Sequence, residues 1–128
     1  MIMPYGKAIC YSGYRDGQSP VERKYPTDKE ILEDLYILEK DFDYIRMYDA
    51  SDYTLRTLQL IRKHNIKLKV LLTMNLLGET SNPNCSWGGE YTVEEIAKNI
   101  VNNQDELENV ISYANQYKDV CLCCFSRQ

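Results

Sequence analysis

Apolar residues along the chain alternate between short continuous runs and longer stretches that repeat every three or four positions. Residues 8–11, Ala-Ile-Cys-Tyr, form the first run and stop at the turn-like Ser12-Gly13, so they predict a strand. A loop containing Arg15, Asp16, Gly17, Pro20 and Pro26 follows. Thr27 and Glu30 have the spacing of a capping box, and Ile31, Leu32, Leu35, Leu38 and Phe42 continue at helical spacing. Tyr44-Ile45-Arg46-Met47-Tyr48 predicts a second strand, with Arg46 and Tyr48 on one face and Ile45 and Met47 on the other. Asp49 or Ser51 can cap the next helix, whose apolar positions are Leu55, Leu58, Leu60 and Ile61, and Asn65 suits its end.

Residues 67–74 predict a third strand, and its nearly continuous apolar end is the mark of a strand covered on both faces. The long segment 75–91 holds Gly78, Pro83, Cys85, Trp87, Gly88 and Gly89. Thr92 and Glu95 form a second capping box opening a short helix with Val93, Ile96, Ala97 and Ile100. Asn103 with Glu106 repeats that pattern, which predicts a new helix start before Leu107, Val110, Ile111, Ala114 and Tyr117. Val120 begins a fourth strand. The order βαβαβαβ predicts a parallel α/β sheet with right-handed crossovers. Two architectures fit. One is a small doubly wound parallel sheet, complete at this length. The other is a (β/α)8 TIM barrel, which takes about 250 residues, so this chain would supply about its first four βα units, a half barrel. Both place ligand sites at the C-terminal edge of the strands.

Composition narrows the classes. The chain has 128 residues, 44% of them hydrophobic and 27% charged, which fits one folded domain and excludes a disordered chain. No apolar run approaches the roughly 20 residues of a membrane span, so no membrane partner is expected. No basic region followed by a long apolar stretch opens the sequence, so a cytoplasmic location is expected. A net charge of −4 argues against general nucleic-acid binding. The five cysteines, Cys10, Cys85, Cys121, Cys123 and Cys124, are odd in number and lack a second ligand pair, so neither a disulfide framework nor a metal site is expected. No cofactor motif is present: Ser12-Gly13-Tyr14-Arg15-Asp16-Gly17 has neither P-loop nor dinucleotide spacing. Eleven tyrosines suit either sugar stacking or ordinary core borders.

Several segments resemble, in colinear order, the bacterial relatives of glycoside hydrolase family 17, the β-1,3-glucanases and glucan transferases. Residues 6–18, beginning Gly6-Lys7-Ala8-Ile9-Cys10-Tyr11-Ser12-Gly13-Tyr14, resemble the family's opening. Tyr44-Ile45-Arg46-Met47-Tyr48-Asp49 resembles its second-strand "IRLYD" pattern, and residues 66–72 are similar to its third strand. Cys85-Ser86-Trp87 is similar to a loop that follows, and residues 111–119 resemble its "ALANEYKD" helix end. The likeness runs over about residues 5–119, and residues 1–119 are read as one segment, the N-terminal half of a glycosidase-like barrel. The family's next strand ends in Val-Gly-Asn-Glu and carries its acid/base, whereas residues 120–128 here read Val-Cys-Leu-Cys-Cys-Phe-Ser-Arg-Gln. One back-translation of those residues is GTA TGT TTG TGC TGT TTC AGT CGG CAA. Shifted by one base, it encodes Tyr-Val-Cys-Ala-Val-Ser-Val-Gly, close to the family strand. We therefore read 120–128 as a fourth strand or an out-of-frame tail, a point that sequencing the locus decides.

The resemblance implies a retaining mechanism, which needs two carboxyl groups about 5–5.5 Å apart. Neither can be matched to a position here, so no catalytic residue is named and the chain is expected to be truncated and catalytically incomplete. What the resemblance leaves is part of a sugar-binding wall: Tyr11, Tyr14, Arg46, Tyr48 and Trp87, with β-glucan as the expected partner. Arg46 on a parallel strand needs a polar partner, either substrate or a carboxylate. Asp49 reads as a helix cap, and Glu94, Glu95, Asp105, Glu106 and Glu108 read as solvated helix surface. A half barrel also leaves two strand borders open to self-association. The alternative reading is a small α/β binding or interaction module without catalysis.

Overall fold

A computed structural model describes residues 3–85 and 89–123. Four strands, β1 (Ala8–Cys10), β2 (Tyr44–Met47), β3 (Lys69–Leu72) and β4 (Cys121–Cys123), alternate with three helices, α1 (Asp28–Leu38), α2 (Asp52–Lys63) and α3 (Val93–Gln116). All neighbouring strands pair in parallel in the order β1-β2-β3-β4. A doubly wound sheet reverses its strand order at a switch point. This order has no reversal, which sets the small doubly wound alternative aside and gives a partial α/β fold wound in one direction.

The helices begin where their side chains can satisfy free amides. Thr27 and Thr92 each accept from the amide three residues on while Glu30 and Glu95 reach back, so both capping boxes form as read. Ser51, rather than Asp49, is the cap of α2, accepting from Thr54 N. Helix α1 closes at Leu38, and Phe42 falls in the turn beyond it, its amide donating to Leu38 O. Asn65 ends the α2 segment with φ 51°, the left-handed geometry that asparagine tolerates.

Strand alternation sorts the two faces of the sheet. Ile45 and Met47 on β2 and Val70 and Leu72 on β3 are buried against the helices, where they meet Ile31 and Leu35 of α1, Leu58 and Ile61 of α2, and Val110 of α3. Burying each such side chain contributes about 1.5–3 kcal/mol. The opposite face holds Ala8, Cys10, Arg46 and Lys69, all exposed, with Leu71 and Leu122 half-buried. Across the sheet Cys10, Arg46, Leu71 and Leu122 form one row. The continuous apolar run of β3 predicts cover on both faces, yet among the described residues the helices cover one.

The predicted second helix start at Asn103 does not occur, because α3 runs unbroken for 24 residues. Asn103 sits mid-helix and buried, and its side chain serves the loop after β3: Oδ1 accepts from Leu77 N at 2.7 Å, while Nδ2 donates to Leu77 O and to Glu79 Oε1. The capping-box spacing had another use. No helix among the described residues is long and apolar enough to cross a membrane.

Candidate functional site at the C-terminal edge of the sheet

The loops after β1, β2 and β3 meet at the C-terminal edge of the strands. The β1 ladder extends one residue further, Tyr11 N donating to Arg46 O at 3.1 Å. Tyr11 is buried, and its hydroxyl donates to Asp34 Oδ2 on α1 at 2.9 Å. Arg15 grips the same carboxylate with both terminal nitrogens, at 2.8 and 3.0 Å, and also donates to Gly13 O. Asp34 therefore ties the strand end and the following loop to α1. Gly13 must lack a side chain: a Cβ there would lie 2.6 Å from Asp34 Oδ2 and collide with the Tyr11 hydroxyl. Its amide donates to Tyr53 Oη at 2.9 Å.

Tyr53, in the first turn of α2, is the hub of an aromatic cluster. Its ring lies 5.3 Å from that of Tyr14, 6.0 Å from Tyr11 and 6.3 Å from Tyr25, the last pair stacked at 8°. Burial pushes the Tyr11 phenol far above its ordinary range, with Tyr53 and Asp34 adding to the shift. Tyr14 is pushed up to about 12, first by burial and then by the Asp49 charge. These phenols stay protonated and neutral at physiological pH, presenting apolar faces with hydroxyl donors.

On the second strand Arg46 and Tyr48 share the uncovered face, and the guanidinium carbon lies 4.8 Å from the Tyr48 ring centroid. Among the described residues no carboxylate forms an ion pair with Arg46, so its side-chain partner here is aromatic. The neighbouring Cys10 thiol raises the Tyr48 phenol. Asp49 follows, its Oδ1 accepting from Ser51 N at 3.1 Å and from Thr54 Oγ1 at 3.2 Å, so it supports the helix start beside the cap. Glu106 corrects the expectation of a solvated helix surface. Half-buried, its Oε1 accepts from Ala50 N at 2.9 Å and Asn75 N at 3.1 Å, joining the loops after β2 and β3 to α3.

Between these loops opens a cleft of about 240 Å³. Tyr11, Tyr14, Tyr48 and Tyr53 supply its aromatic walls, and Ser12, Asp49, Thr54 and Asn75 its polar groups, with Pro20 and Met47 completing the lining. Of the sequence-derived candidates, Tyr11, Tyr14 and Tyr48 come together here, Arg46 stacks on Tyr48, and Trp87 lies outside the described residues. Tyr53 was missed. Its signal was a position two residues past the Ser51 cap, in step with Thr57 and Leu60 on the buried side of α2. Asp49 is the one carboxylate among the described residues lining the cleft.

No protein-family model matches the chain, and comparison with curated proteins finds no relative. Among solved structures the chain is similar to an endo-laminarinase from Formosa Hel1_33_131, with 20% sequence identity and a TM-score of 0.59. The match covers 90% of this chain and 28% of that chain, so this chain spans less than a third of that protein's length. At that identity the likeness shows a shared fold, extending over nearly all of this chain and part of the other.

Proposed function

We propose that the chain is a glycoside hydrolase-like segment, about the first four βα units of a barrel, and that its cleft binds β-1,3-glucan. The observation that carries this reading is the cleft itself: four tyrosines and a few polar groups gathered at the edge where parallel β/α folds bind ligands. The shared fold with an endo-laminarinase supports it. Tyrosine faces suit the C–H faces of glucose rings, while Asn75, Ser12 and the Asp49 carboxylate can exchange hydrogen bonds with sugar hydroxyls. Arg46 would hold Tyr48 in place rather than ligate substrate directly.

Retaining hydrolysis needs two carboxylates about 5–5.5 Å apart, and among the described residues the cleft holds one, already engaged at a helix start. In this reading the carboxylate-bearing strands lie outside the residues given, and this segment by itself binds without turnover. The lone carboxylate equally favours the alternative of a small binding module. Self-association at the strand borders belongs to the proposal, with β1 and β4 as the outer strands.

The test is calorimetric titration of the chain with laminari-oligosaccharides, beside a reducing-sugar assay. Weak saturable binding without product is expected, and Tyr14→Ala should weaken it about tenfold, near 1.4 kcal/mol. Absence of binding at millimolar oligosaccharide overturns the glucan reading, and product release overturns the claim of catalytic incompleteness.

A further inference from the structure

Helix α3 carries two rows of residues, and one of them has no partner among the described residues. Ile96, Asn103, Glu106, Val110, Tyr113 and Tyr117 lie toward the sheet and the edge loops, with Asn103, Val110 and Tyr117 buried. About 100° around the helix lies the second row: Val93, Ala97, Ile100, Gln104, Leu107 and Ile111. Val93 is 80% exposed, Ile100 45%, Leu107 39% and Ile111 42%, and Val101 beside them is 58% exposed. Single exposed aliphatics need no explanation, but a contiguous row of them marks a contact surface. The row advances by four, three, four, three and four residues, the 3.5-residue repeat that keeps a seam facing another helix, over about 27 Å. It faces away from α2, whose side of α3 is marked by Glu106 holding Ala50 N and by Arg62 donating to Gln116 O.

We propose that this row is a self-association surface, on which α3 of a second copy packs antiparallel about a two-fold axis. The row is complementary to itself. With Ile100 set against Gln104 of the copy, Val93 meets Ile111 and Ala97 meets Leu107, a smaller side chain against a larger one in both of the latter layers. A two-fold contact requires this reciprocity, because the same patch serves both subunits. Helices α1 and α2 pack against each other on the core, and among the described residues this row of α3 stays exposed. The aliphatic surface offered is roughly 400–500 Å² per copy, so the pair buries on the order of 1,000 Å², the lower end for a specific interface. A weak, reversible dimer follows. The rim beside Val101 holds Glu94, Lys98, Asp105 and Glu108, three acids and one base. That charge disfavours an anionic membrane surface as the occupant. It also makes two copies repel at low salt, so screening should tighten the pair.

Sedimentation equilibrium of the full chain from about 1 to 500 μM should show a monomer–dimer equilibrium, with a dissociation constant that falls severalfold between about 0.05 and 0.5 M salt. Ile100→Glu and Leu107→Glu, both at exposed positions, should each raise that constant tenfold or more while circular dichroism and the thermal transition stay unchanged. A chain monomeric throughout the range overturns the proposal. So does a dimer indifferent to both substitutions, which would be using another surface such as the strand borders. Oligosaccharide titration of the same variants reads the cleft separately, so the glucan reading and the dimer can fail independently.

Discussion

Asp34 offers a quantitative probe of how the cleft is held. Its carboxylate, 18% exposed, accepts from the buried Tyr11 hydroxyl at 2.9 Å and from Arg15 at 2.8 and 3.0 Å. Asp34→Ala removes three hydrogen bonds to a charged acceptor and strands a buried phenol. A single hydrogen bond to a charged group contributes about 1.5–3 kcal/mol, and leaving a buried polar group unpaired costs about 1–3 kcal/mol. Arg15 is more than a third exposed and can turn to water, so its share is at the low end of a surface pair, about 0–1 kcal/mol. The first two figures describe the same broken Tyr11 bond, so with the Arg15 share the loss is about 1.5–4 kcal/mol, or roughly 6–15 °C in melting temperature for a domain of this size. Tyr11→Phe keeps the ring and removes the donor, and should cost about 1–2 kcal/mol. The double variant should then lose about 1 kcal/mol less than the sum of the singles, because Tyr11→Phe leaves no stranded hydroxyl for Asp34→Ala to expose. Urea denaturation of the four proteins measures the cycle. Additivity within about 0.3 kcal/mol would refute the idea that Asp34 acts through Tyr11, and with it the claim that α1 positions the cleft wall.

Further outcomes follow from the same geometry. Glu106→Gln retains one acceptor oxygen but loses the charge, so stability should fall by about 1 kcal/mol, and hydrogen exchange should quicken at the Ala50 and Asn75 amides; unchanged protection there would remove Glu106 from its role at the cleft. Tyr14, with its folded pKa raised from 10.0 to about 12, binds its proton more tightly folded than unfolded, so its contribution is complete below pH 10 and is lost as pH rises toward 12. Absorbance titration of wild type against Tyr14→Phe should show that late phenol, and a Tyr14 titrating near 10 would contradict its burial beside Asp49. At the acid end, Arg62 beside Asp119 and the Thr27 amide on Glu30 hold those carboxyls below their ordinary values. Their contribution is present above that range and lost as pH falls through the lowered pKa, so Asp119→Asn should flatten the acid limb of a stability–pH curve.

What the sequence disclosed and what it hid have different physical origins. The capping boxes at Thr27 and Thr92 were legible because both halves of each interaction lie within four residues. The strands were legible from apolar runs, and the faces of β2 from strict alternation, which set Arg46 and Tyr48 together opposite Ile45 and Met47. Strand order was hidden, since a βαβα pattern is common to sheets that reverse and sheets that do not; only the pairing of β1 with β2, β2 with β3 and β3 with β4 separates them. The Asn103–Glu106 pair shows the limit most sharply. Its spacing is that of a local cap, yet both side chains bind backbone 26 to 56 residues away. A polar side chain on a helix takes whichever free amide is nearest in space. Here the loops after β2 and β3 reach the C-terminal edge with free amides at Ala50, Asn75 and Leu77, and α3 runs beside them. The cleft thus rests on long-range polar contacts that periodicity cannot register. Tyr53 belongs to the same class, since its place at the hub follows from where α2 lies against the β1 loop rather than from its neighbours in sequence.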